Sequence, residues 1–228
     1  MSVGNSDSEK KRLKVLWQYD VLDTIPEALF DDLTELAAGI CEAPIALISL
    51  VDEKRQWFKS KFGITVNETS RDVSFCAHAI QQPDLFIVPD ATQDVRFASN
   101  PLVTSDPKIR FYAGAPLTTP DGYALGTLCV IDKVPRELRS EQKQALRILA
   151  RHVVSQLELR RRSKEIQNTR TPGRPEEDNT RLKEQLTRLK AKLAEARRQL
   201  TRQAGRKPAK LRARSKRPSK STRPHARR

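Results

Sequence analysis

A thiol and an imidazole lie two residues apart in the segment SFCAHAI, where Ala77 separates Cys76 from His78. A cysteine with a base in hydrogen-bond reach can act as a nucleophile. The same two residue types can supply half of a zinc site, and a reactive thiolate can sense oxidants. The residue types therefore allow catalysis, metal binding or redox chemistry at this position.

The local pattern separates these two side chains. Helix-forming residues surround Cys76, and Ser74 is a candidate N-cap, so the segment is predicted to be a short helix. Residues two apart on a helix point about 200° away from each other, and the pair cannot easily meet. The pattern favours a buried cysteine beside a structural histidine. A pocket-lining or redox-sensing role and a catalytic role are the alternatives.

A zinc site at Cys76 and His78 would need two further ligands. The remaining candidates are carboxylates, Cys41, Cys129 and His152, which stand at no recognised spacing, and the chain has no CxxC pair. We therefore predict no metal site, and the sequence names no cofactor.

A second group of residues can bind an anionic ligand. Arg96 and Phe97 lie in a long polar loop, and Arg110 and Tyr112 open the strand that follows it. Arginine can hold a carboxylate or phosphate through two parallel hydrogen bonds while aromatic rings pack on the ligand. The alternative, which the pattern favours, is that the two arginines pin the loop by pairing with acidic neighbours. Those neighbours are Asp90, Asp94 and Asp106.

Trp57 is the last candidate for the pocket. It precedes Phe58 in a predicted strand, so the two side chains should face opposite sides, and Trp57 fits a core position better than a ligand platform. The complete candidate pocket comprises Trp57, Phe75, Cys76, His78, Arg96, Phe97, Arg110, Tyr112 and Cys129.

The sequence carries no recognisable catalytic motif. GxGxxG, Walker, HExxH and GxSxG patterns are absent, and adjacent carboxylates such as Asp31 and Asp32 fit a helix surface. We therefore expect that the protein is not an enzyme. The alternative is a cysteine-based redox sensor or enzyme that uses Cys76 or Cys129.

The elements that must position these residues alternate between helices and strands. In order, the patterns predict two amphipathic helices, the hairpin of IALISLVD and RQWFKSKFG, the short helix, the strand LFIVPD, a long loop, the hairpin of IRFYAGAPL and YALGTLCVID, and a long helix capped by Ser140. This order predicts an α+β fold. An antiparallel sheet would carry a helix bundle on one face and a ligand pocket on the other.

The C-terminal part of the chain has a different composition. The segment TRTPGRPEEDN breaks the long helix. Apolar residues then recur with the 4-3 spacing of a short coiled coil: Leu182, Leu186, Leu189, Leu193, Ala196 and Leu200. The final 25 residues contain no acidic residue and eleven Lys or Arg, so this tail is predicted to be disordered.

Charge is divided unevenly along the chain. Residues 1–159 hold 18 basic and 22 acidic residues, whereas residues 160–228 hold 25 basic and 6 acidic residues. A basic block of this kind is typical of proteins that contact nucleic acid, an anionic membrane or an acidic protein. We predict nucleic acid, bound mainly through phosphates; a solvated tail with incidental affinity is the alternative. The candidate contacts are Arg206, Lys207, Lys210, Arg212, Arg214, Lys216, Arg217, Lys220 and Arg223.

Several segments resemble bacterial GAF sensory domains, the kind found upstream of histidine kinases and diguanylate cyclases. They are YDVLDTIPEALFDDLTELAAGICEAPIALISLVDEKRQWFKSKFG, TSRDVSFCAHAI, VPDATQDVRFASNPLV, IRFYAGAPL and GYALGTLCVID. The resemblance implies a sensor or dimerisation module with a small-molecule pocket. The motif of cyclic-nucleotide-binding GAF domains, the Cys-His pair of bilin-attaching ones and the cysteine set of GAF-type methionine sulfoxide reductases are not recognisable.

With this resemblance, the predicted organisation is a flexible N-terminus at 1–11, a GAF domain at 12–162, a linker at 163–178, a coiled-coil helix at 179–203 and a disordered basic tail at 204–228. We expect a homodimeric sensory protein of bacterial signal transduction that has a signalling partner and contacts nucleic acid through its tail. An architectural nucleic-acid-binding protein with the GAF domain as a dimerisation scaffold is the alternative. The sequence shows no apolar run long enough to span a membrane and no secretory signal pattern. With three unpaired cysteines, this predicts a cytoplasmic protein.

Overall fold

The computed structural model describes residues 5–169 and, beyond them, only Glu184, Thr187, Arg188, Lys190 and Ala191, all of which are helical. Five α-helices and six strands occur within residues 5–169. They are α1 (Asn5–Gln18), α2 (Ala28–Cys41), β1 (Ile45–Val51), β2 (Arg55–Phe62), β3 (Glu68–Ser70), α3 (Phe75–Ala79), β4 (Phe86–Val88), α4 (Pro101–Thr104), β5 (Phe111–Thr118), β6 (Ala124–Asp132) and α5 (Ser140–Thr169), with a 3-10 turn at Arg71–Val73.

The six strands form one antiparallel sheet with the order β3-β2-β1-β6-β5-β4. Strand β1 lies at the centre, and all seven of its residues are buried. Six of the seven are apolar and the exception is Ser49; a strand with apolar residues on both faces is stable where both faces of the sheet are covered. This composition therefore indicates that the sheet has protein on both sides.

Helices α1, α2 and α5 cover one face, which is called the helical face below. Helices α2 and α5 run antiparallel, because Gln142 Nε2 at the start of α5 donates to Ile40 O at the end of α2, at 3.0 Å. At the other end of the pair, Arg160 Nε donates to Glu27 Oε1, also at 3.0 Å. Buried leucines such as Leu146 and Leu157 fill the space between α5 and the sheet.

The opposite face, called the loop face, is covered by α3, α4 and the segment between β4 and β5. Its core is a separate cluster that includes Phe75, Phe97, Tyr112 and Ile131. Asn100 caps α4, with its side chain accepting from Leu102 N at 2.9 Å, and also donates to Val73 O at 3.0 Å. The long polar segment is therefore a packed layer of the domain.

The predicted α+β fold with an antiparallel sheet and a helix bundle on one face is confirmed. Helix α1 begins inside segment 1–11, and α5 runs past position 162, where the sequence analysis placed the linker. The coiled-coil helix at 179–203, apart from its five described residues, and the basic tail at 204–228 lie outside the described residues. The domain boundaries stay predictions.

Candidate functional site

The loop face gathers most of the residues that the sequence analysis proposed as a pocket. Phe75 stacks on Phe97 with ring centroids 4.0 Å apart, and on Tyr112 at 5.3 Å. Phe75, Phe97 and Tyr112 are all buried, as are Cys76 and Cys129. The aromatic side chains fill this part of the loop face themselves.

Helix α3 sets the direction of Cys76. The Ser74 hydroxyl accepts from Ala77 N at 3.1 Å and donates to Gln56 Oε1 at 2.5 Å, which starts the helix and anchors it to β2. Cys76 then points into the domain, where its sulfur lies 3.9 Å from that of Cys129 on β6. We call these two residues the thiol pair.

His78 lies on the outer side of the same short helix. Its ring meets the edge of Phe97, with centroids 4.9 Å apart, and it is exposed, whereas Cys76 is buried. Partial burial and the nearby Arg96 charge lower the pKa of His78. The helical prediction for this segment is confirmed, and the structure brings Cys76 next to a second cysteine instead of next to His78.

Tyr112 reaches the thiol pair because position 114 is glycine. A Cβ atom at Gly114 would lie 2.3 Å from Tyr112 Oη, so the phenol ring occupies the space in which a side chain would stand. Its hydroxyl donates to Cys76 Sγ at 3.4 Å and lies 3.4 Å from Thr127 Oγ1. A polar cluster of one phenol, one threonine and two thiols is thus enclosed in an apolar core.

Each thiol of the pair affects the pKa of the other, because the two sulfurs lie 3.9 Å apart. Burial acts to raise the pKa of Cys76, but hydrogen bonds from the Cys129 thiol and from the hydroxyls of Thr127, Tyr112 and Ser49 outweigh it and lower that pKa. At Cys129, the hydrogen bond with Cys76 and burial raise the pKa. The arrangement therefore favours a thiolate on Cys76 over one on Cys129.

The two arginines of the candidate pocket are held by local partners. Arg96 Nε donates to Asp94 Oδ1 at 2.8 Å, and its guanidinium group lies 4.7 Å from the centre of the Phe86 ring. Arg110 donates to the carbonyl oxygens of Val103 at 2.9 Å and of Ile109 at 3.1 Å. Both side chains fasten the long loop, although Arg110 does so through carbonyl groups and not through an aspartate.

Trp57 lies on the helical face and is not part of the thiol-pair cluster. It pairs with Leu50 across the β1–β2 hairpin, while its neighbour Phe58 faces the other way and is equally buried. The structure therefore separates Trp57 from the other eight candidate pocket residues. It contributes instead to a cleft of about 530 Å³ beside Lys59.

An open groove of about 470 Å³ lies on the loop face beside these residues, and none of the sequence-predicted pocket residues lines it. Its floor consists of Leu47, Phe58, Ile109 and Ile131, and its rim includes Gln56, Thr69, Asp106 and Lys133. A mostly apolar concavity with a few polar groups has the character of a small-molecule site. Sequence reasoning missed it because two loops that are remote in sequence form its walls.

One of those walls depends on Gly63, at the end of β2. Its backbone has φ +78, and a Cβ atom there would lie 1.9 Å from Pro44 O. Only glycine fits both conditions. This residue and Asp106-Pro107, which also lines the groove, are turn signals in the sequence.

Within residues 5–169 and the five helical positions beyond them, no group of three or more His, Cys, Asp or Glu side chains is placed to hold a metal ion. The same part of the chain contains no helix that has both the length and the apolar character needed to cross a bilayer.

The sequence model of the GAF domain matches residues 26–157, which is more than half of the chain. The chain therefore belongs to the GAF domain family. It is 43% identical over 140 residues to cyclic di-GMP phosphodiesterase PA2567 from Pseudomonas aeruginosa; the match covers 61% of this chain and 24% of that protein. Family and relative together place the chain among sensory and signalling proteins.

Solved structures show the same fold at low sequence identity. The GAF domain of a phosphoenolpyruvate-protein phosphotransferase from Acinetobacter superposes with a TM-score of 0.50 at 16% identity, covering 69% of this chain and 95% of that one. A free methionine-R-sulfoxide reductase from Neisseria meningitidis gives a TM-score of 0.50 at 14% identity, covering 72% and 96%.

The expectation that the protein is not an enzyme is contradicted by the Pseudomonas relative, which is an enzyme by name. The sequence analysis based that expectation on the absence of catalytic motifs. The absence of such motifs from a GAF domain does not show that the protein to which the domain belongs lacks enzymatic activity. This chain spans only 24% of the relative's length, so the match by itself does not assign the hydrolysis of cyclic di-GMP to it.

Proposed function

We propose that this domain is the sensory part of a cyclic di-GMP signalling system, in which a small ligand in the loop-face groove sets the rate of cyclic di-GMP hydrolysis. The observation that supports the proposal is the 43% identity over 140 residues to a cyclic di-GMP phosphodiesterase. Sequence identity at this level indicates a closer relationship than a shared fold alone. GAF domains commonly serve as the sensory input of signalling proteins.

The groove is the part of the domain best suited to the input. It has an apolar floor and a polar rim, so it can bury the body of a small metabolite and orient it by hydrogen bonds. Helix α5 lies on the helical face and packs on β5 and β6. It can therefore transmit a movement of the sheet to the chain that follows the domain. Binding can alter hydrolysis only if the ligand prefers one arrangement of these elements.

A chimera tests this function. The GAF segment of the Pseudomonas phosphodiesterase is replaced by the matching segment of this chain, and hydrolysis of cyclic di-GMP is measured with and without a panel of cell metabolites. We expect an active chimera whose rate changes at least about fivefold with one metabolite class. An active chimera whose rate no metabolite of the panel changes would contradict the proposal.

Two exposed valines provide a test variant and a control variant for the groove. Val66 lines the groove and is 52% exposed, whereas Val95 is 96% exposed and lies outside it. Lysine should be tolerated at both positions because neither side chain is buried. We expect Val66→Lys to remove the metabolite response of the chimera, and Val95→Lys to retain it.

We also propose that the domain forms a homodimer through the exposed surface of α2 and α5, called the dimer face below. The antiparallel packing places Leu36 at the level of Ile148 and Leu29 at the level of Leu159. All four are exposed, with Leu29 at 60% and Leu159 at 56%. Apolar rows of this kind favour burial against a partner.

Charge favours a second copy of this chain as that partner. Asp32 and Glu35 flank the row on α2, whereas Arg151 and Arg162 flank the row on α5, and all four are exposed. A two-fold axis that lays α2 of one copy on α5 of the other brings opposite charges together at both contacts. The heptad seam at 179–203 lies outside the described residues and would extend such a pairing.

The basic tail carries a second candidate function. We propose that residues 204–228 bind nucleic acid, on the observation that this segment has eleven Lys or Arg and no acidic residue. Duplex DNA binding is measured across a salt series for the intact chain and for a chain ending at Gln203. Binding that falls steeply with salt and is lost on truncation would support the proposal, and equal or negligible binding by both forms would contradict it.

A further inference from the structure

The thiol pair has a geometry that the sensory function leaves unexplained. Cys76 Sγ and Cys129 Sγ lie 3.9 Å apart, both buried, although 53 positions separate them in sequence. A disulfide needs its sulfurs at about 2.05 Å, so about 2 Å of movement would join them. Cys76 lies on α3, a helix of five residues, which can move more easily than the central strand β6.

The surroundings of the pair are polar where the core is otherwise apolar. Ser49, Tyr112 and Thr127 are all fully buried and lie beside the thiol pair. Hydroxyl groups in a core lower its stability unless they find partners. Tyr112 Oη donates to Cys76 Sγ at 3.4 Å, and a donor to sulfur stabilises the thiolate form that oxidation chemistry requires. Thr127 Oγ1 lies 3.4 Å from Tyr112 Oη, and Ser49 Oγ donates to Gln56 Oε1 at 3.3 Å.

The third cysteine shows what an inert thiol looks like in the same domain. Cys41 lies on the helical face among apolar residues, and burial raises the pKa of its thiol to about 11. It has no second sulfur beside it among the described residues. Cys41 is therefore the natural internal control for any property assigned to the other two.

We propose that Cys76 and Cys129 form a reversible intramolecular disulfide when the protein meets a small peroxide, which makes the thiol pair an oxidant-responsive modification site. This inference rests on the thiol pair alone and is independent of the groove ligand. Both sulfurs are buried, so an oxidant of the size of water can reach them through local opening of α3, whereas a bulky disulfide such as oxidised glutathione cannot.

The chemistry balances with hydrogen peroxide as the only co-reactant. The Cys76 thiol loses its proton and its sulfur attacks one peroxide oxygen; the S–O bond forms, the O–O bond breaks, and the departing hydroxide takes that proton to become water. The Cys129 thiol then loses its proton and its sulfur attacks the sulfenic sulfur. The S–S bond forms, the S–O bond breaks, and the departing hydroxide takes the Cys129 proton and leaves as water. Two thiols and one peroxide give one disulfide and two waters.

Joining the sulfurs would change the domain on the loop face. The bond would draw α3 toward β6 and displace the Tyr112 hydroxyl, which now lies against Cys76 at 3.4 Å. Phe75, one residue before Cys76, stacks on Phe97. The movement would therefore be transmitted to the long loop that covers this face.

The test uses the intact chain in three forms: wild type, Cys41→Ser and Cys129→Ser. Each is treated with hydrogen peroxide or with oxidised glutathione, alkylated under denaturing conditions, and mapped by mass spectrometry, with and without later reduction. We expect peroxide to remove two alkylation sites and to yield one cross-linked peptide pair, 76 with 129, in the wild type and in Cys41→Ser. Reduction should restore both sites, and oxidised glutathione should leave them unchanged.

Several outcomes would overturn the inference. Thiols that stay fully alkylated after peroxide would do so, as would cross-links that include Cys41, or oxidation of Cys76 to sulfinic acid with no link to Cys129. The wild-type peptide map decides the question even if Cys129→Ser fails to fold. If that variant folds, peroxide should produce no intramolecular cross-link in it.

Discussion

At the scale of single residues, the loop face depends on the absence of one side chain. Gly114 lies under the ring of Tyr112, and a Cβ atom there would lie 2.3 Å from the hydroxyl oxygen and 2.8 and 2.9 Å from two ring carbons. Tyr112 is fully buried between Phe75, Phe86 and the thiol pair, so its ring has nowhere to move without disturbing them. Gly114 thus leaves room for the Tyr112 ring, and this places the Tyr112 hydroxyl at the thiol pair.

We expect Gly114→Ala to lower the free energy of unfolding by about 1–3 kcal/mol, because it overpacks a filled core. Urea denaturation at neutral pH measures the change. Gly39→Ala is the matched control: Gly39 lies in α2, and a Cβ atom there would meet nothing within 4 Å. The control should leave stability unchanged or raise it by about 0.5–1 kcal/mol, since alanine is the better helix former. An equal response of both variants would contradict the packing argument.

At the scale of elements, one carboxylate links the sheet, the α1–α2 connection and the long helix. Glu27 Oε1 accepts from Lys59 Nζ on β2 at 2.6 Å and from Arg160 Nε on α5 at 3.0 Å. The Lys59 side chain has no exposed surface, and it also donates to Ile25 O at 2.8 Å. A buried ammonium group needs such partners, because burial of an unpaired charge is strongly unfavourable.

We expect Glu27→Gln to destabilise the domain by about 1–2 kcal/mol. The amide keeps a hydrogen-bond acceptor for Lys59 but removes the negative charge, and the 37% exposure of the Glu27 side chain moderates the loss through solvent screening. Chemical denaturation at pH 7 gives the value, with the exposed Glu53→Gln as the control. A Glu27 variant no less stable than that control would show that the ion pairs contribute nothing.

The same carboxylate makes a pH-dependent contribution. Burial acts to raise the pKa of Glu27, but the hydrogen bonds and charges of Lys59 and Arg160 outweigh it, so the pKa lies below its ordinary value of 4.5. A lowered pKa in the folded state means that the stabilisation is complete above the unfolded-state pKa and disappears as pH falls through the folded-state pKa.

The difference in unfolding free energy between wild type and Glu27→Gln should therefore be constant from pH 7 to about pH 5 and should shrink toward zero below that range. Denaturation curves at several pH values measure it. A difference that persists unchanged at pH 3 would mean that the variant acts through packing and not through charge.

The elements themselves were largely predictable from the sequence, because their patterns are local. The apolar run of β1, the turn at Asp121-Gly122 and the stripe of α5 each follow from a few neighbouring residues. The site was predictable only in part. That Cys76 meets Cys129 depends on the strand order β1-β6-β5, and the face of Trp57 depends on its register with β1. The groove depends on how two distant loops dock, which no local pattern contains.

At the scale of the whole molecule, residues 1–159 and the basic extension differ in charge. Dimerisation through the dimer face would affect how the two basic tails bind a partner. The acidic flank of α2 and the basic flank of α5 are complementary between two copies. Two copies would bring two tails to one polyanion. Tethering of this kind raises affinity through effective concentration without any new contact.

We expect the intact chain to sediment as a dimer at micromolar concentration and Leu36→Glu to sediment as a monomer, because the substitution puts a charge into the apolar row. Leu36 is 50% exposed and Val134, outside the dimer face, is 53% exposed, so Val134→Glu controls for the added charge at matched exposure.

Because Asp32 and Glu35 would face Arg151 and Arg162 of the second copy, added salt should weaken the dimer without abolishing it: the charges are screened, and the apolar burial is not. Sedimentation velocity across a concentration and salt series measures both effects. A monomeric wild type would contradict the proposed dimer, and a dimer that Leu36→Glu leaves intact while Val134→Glu disrupts it would place the interface elsewhere.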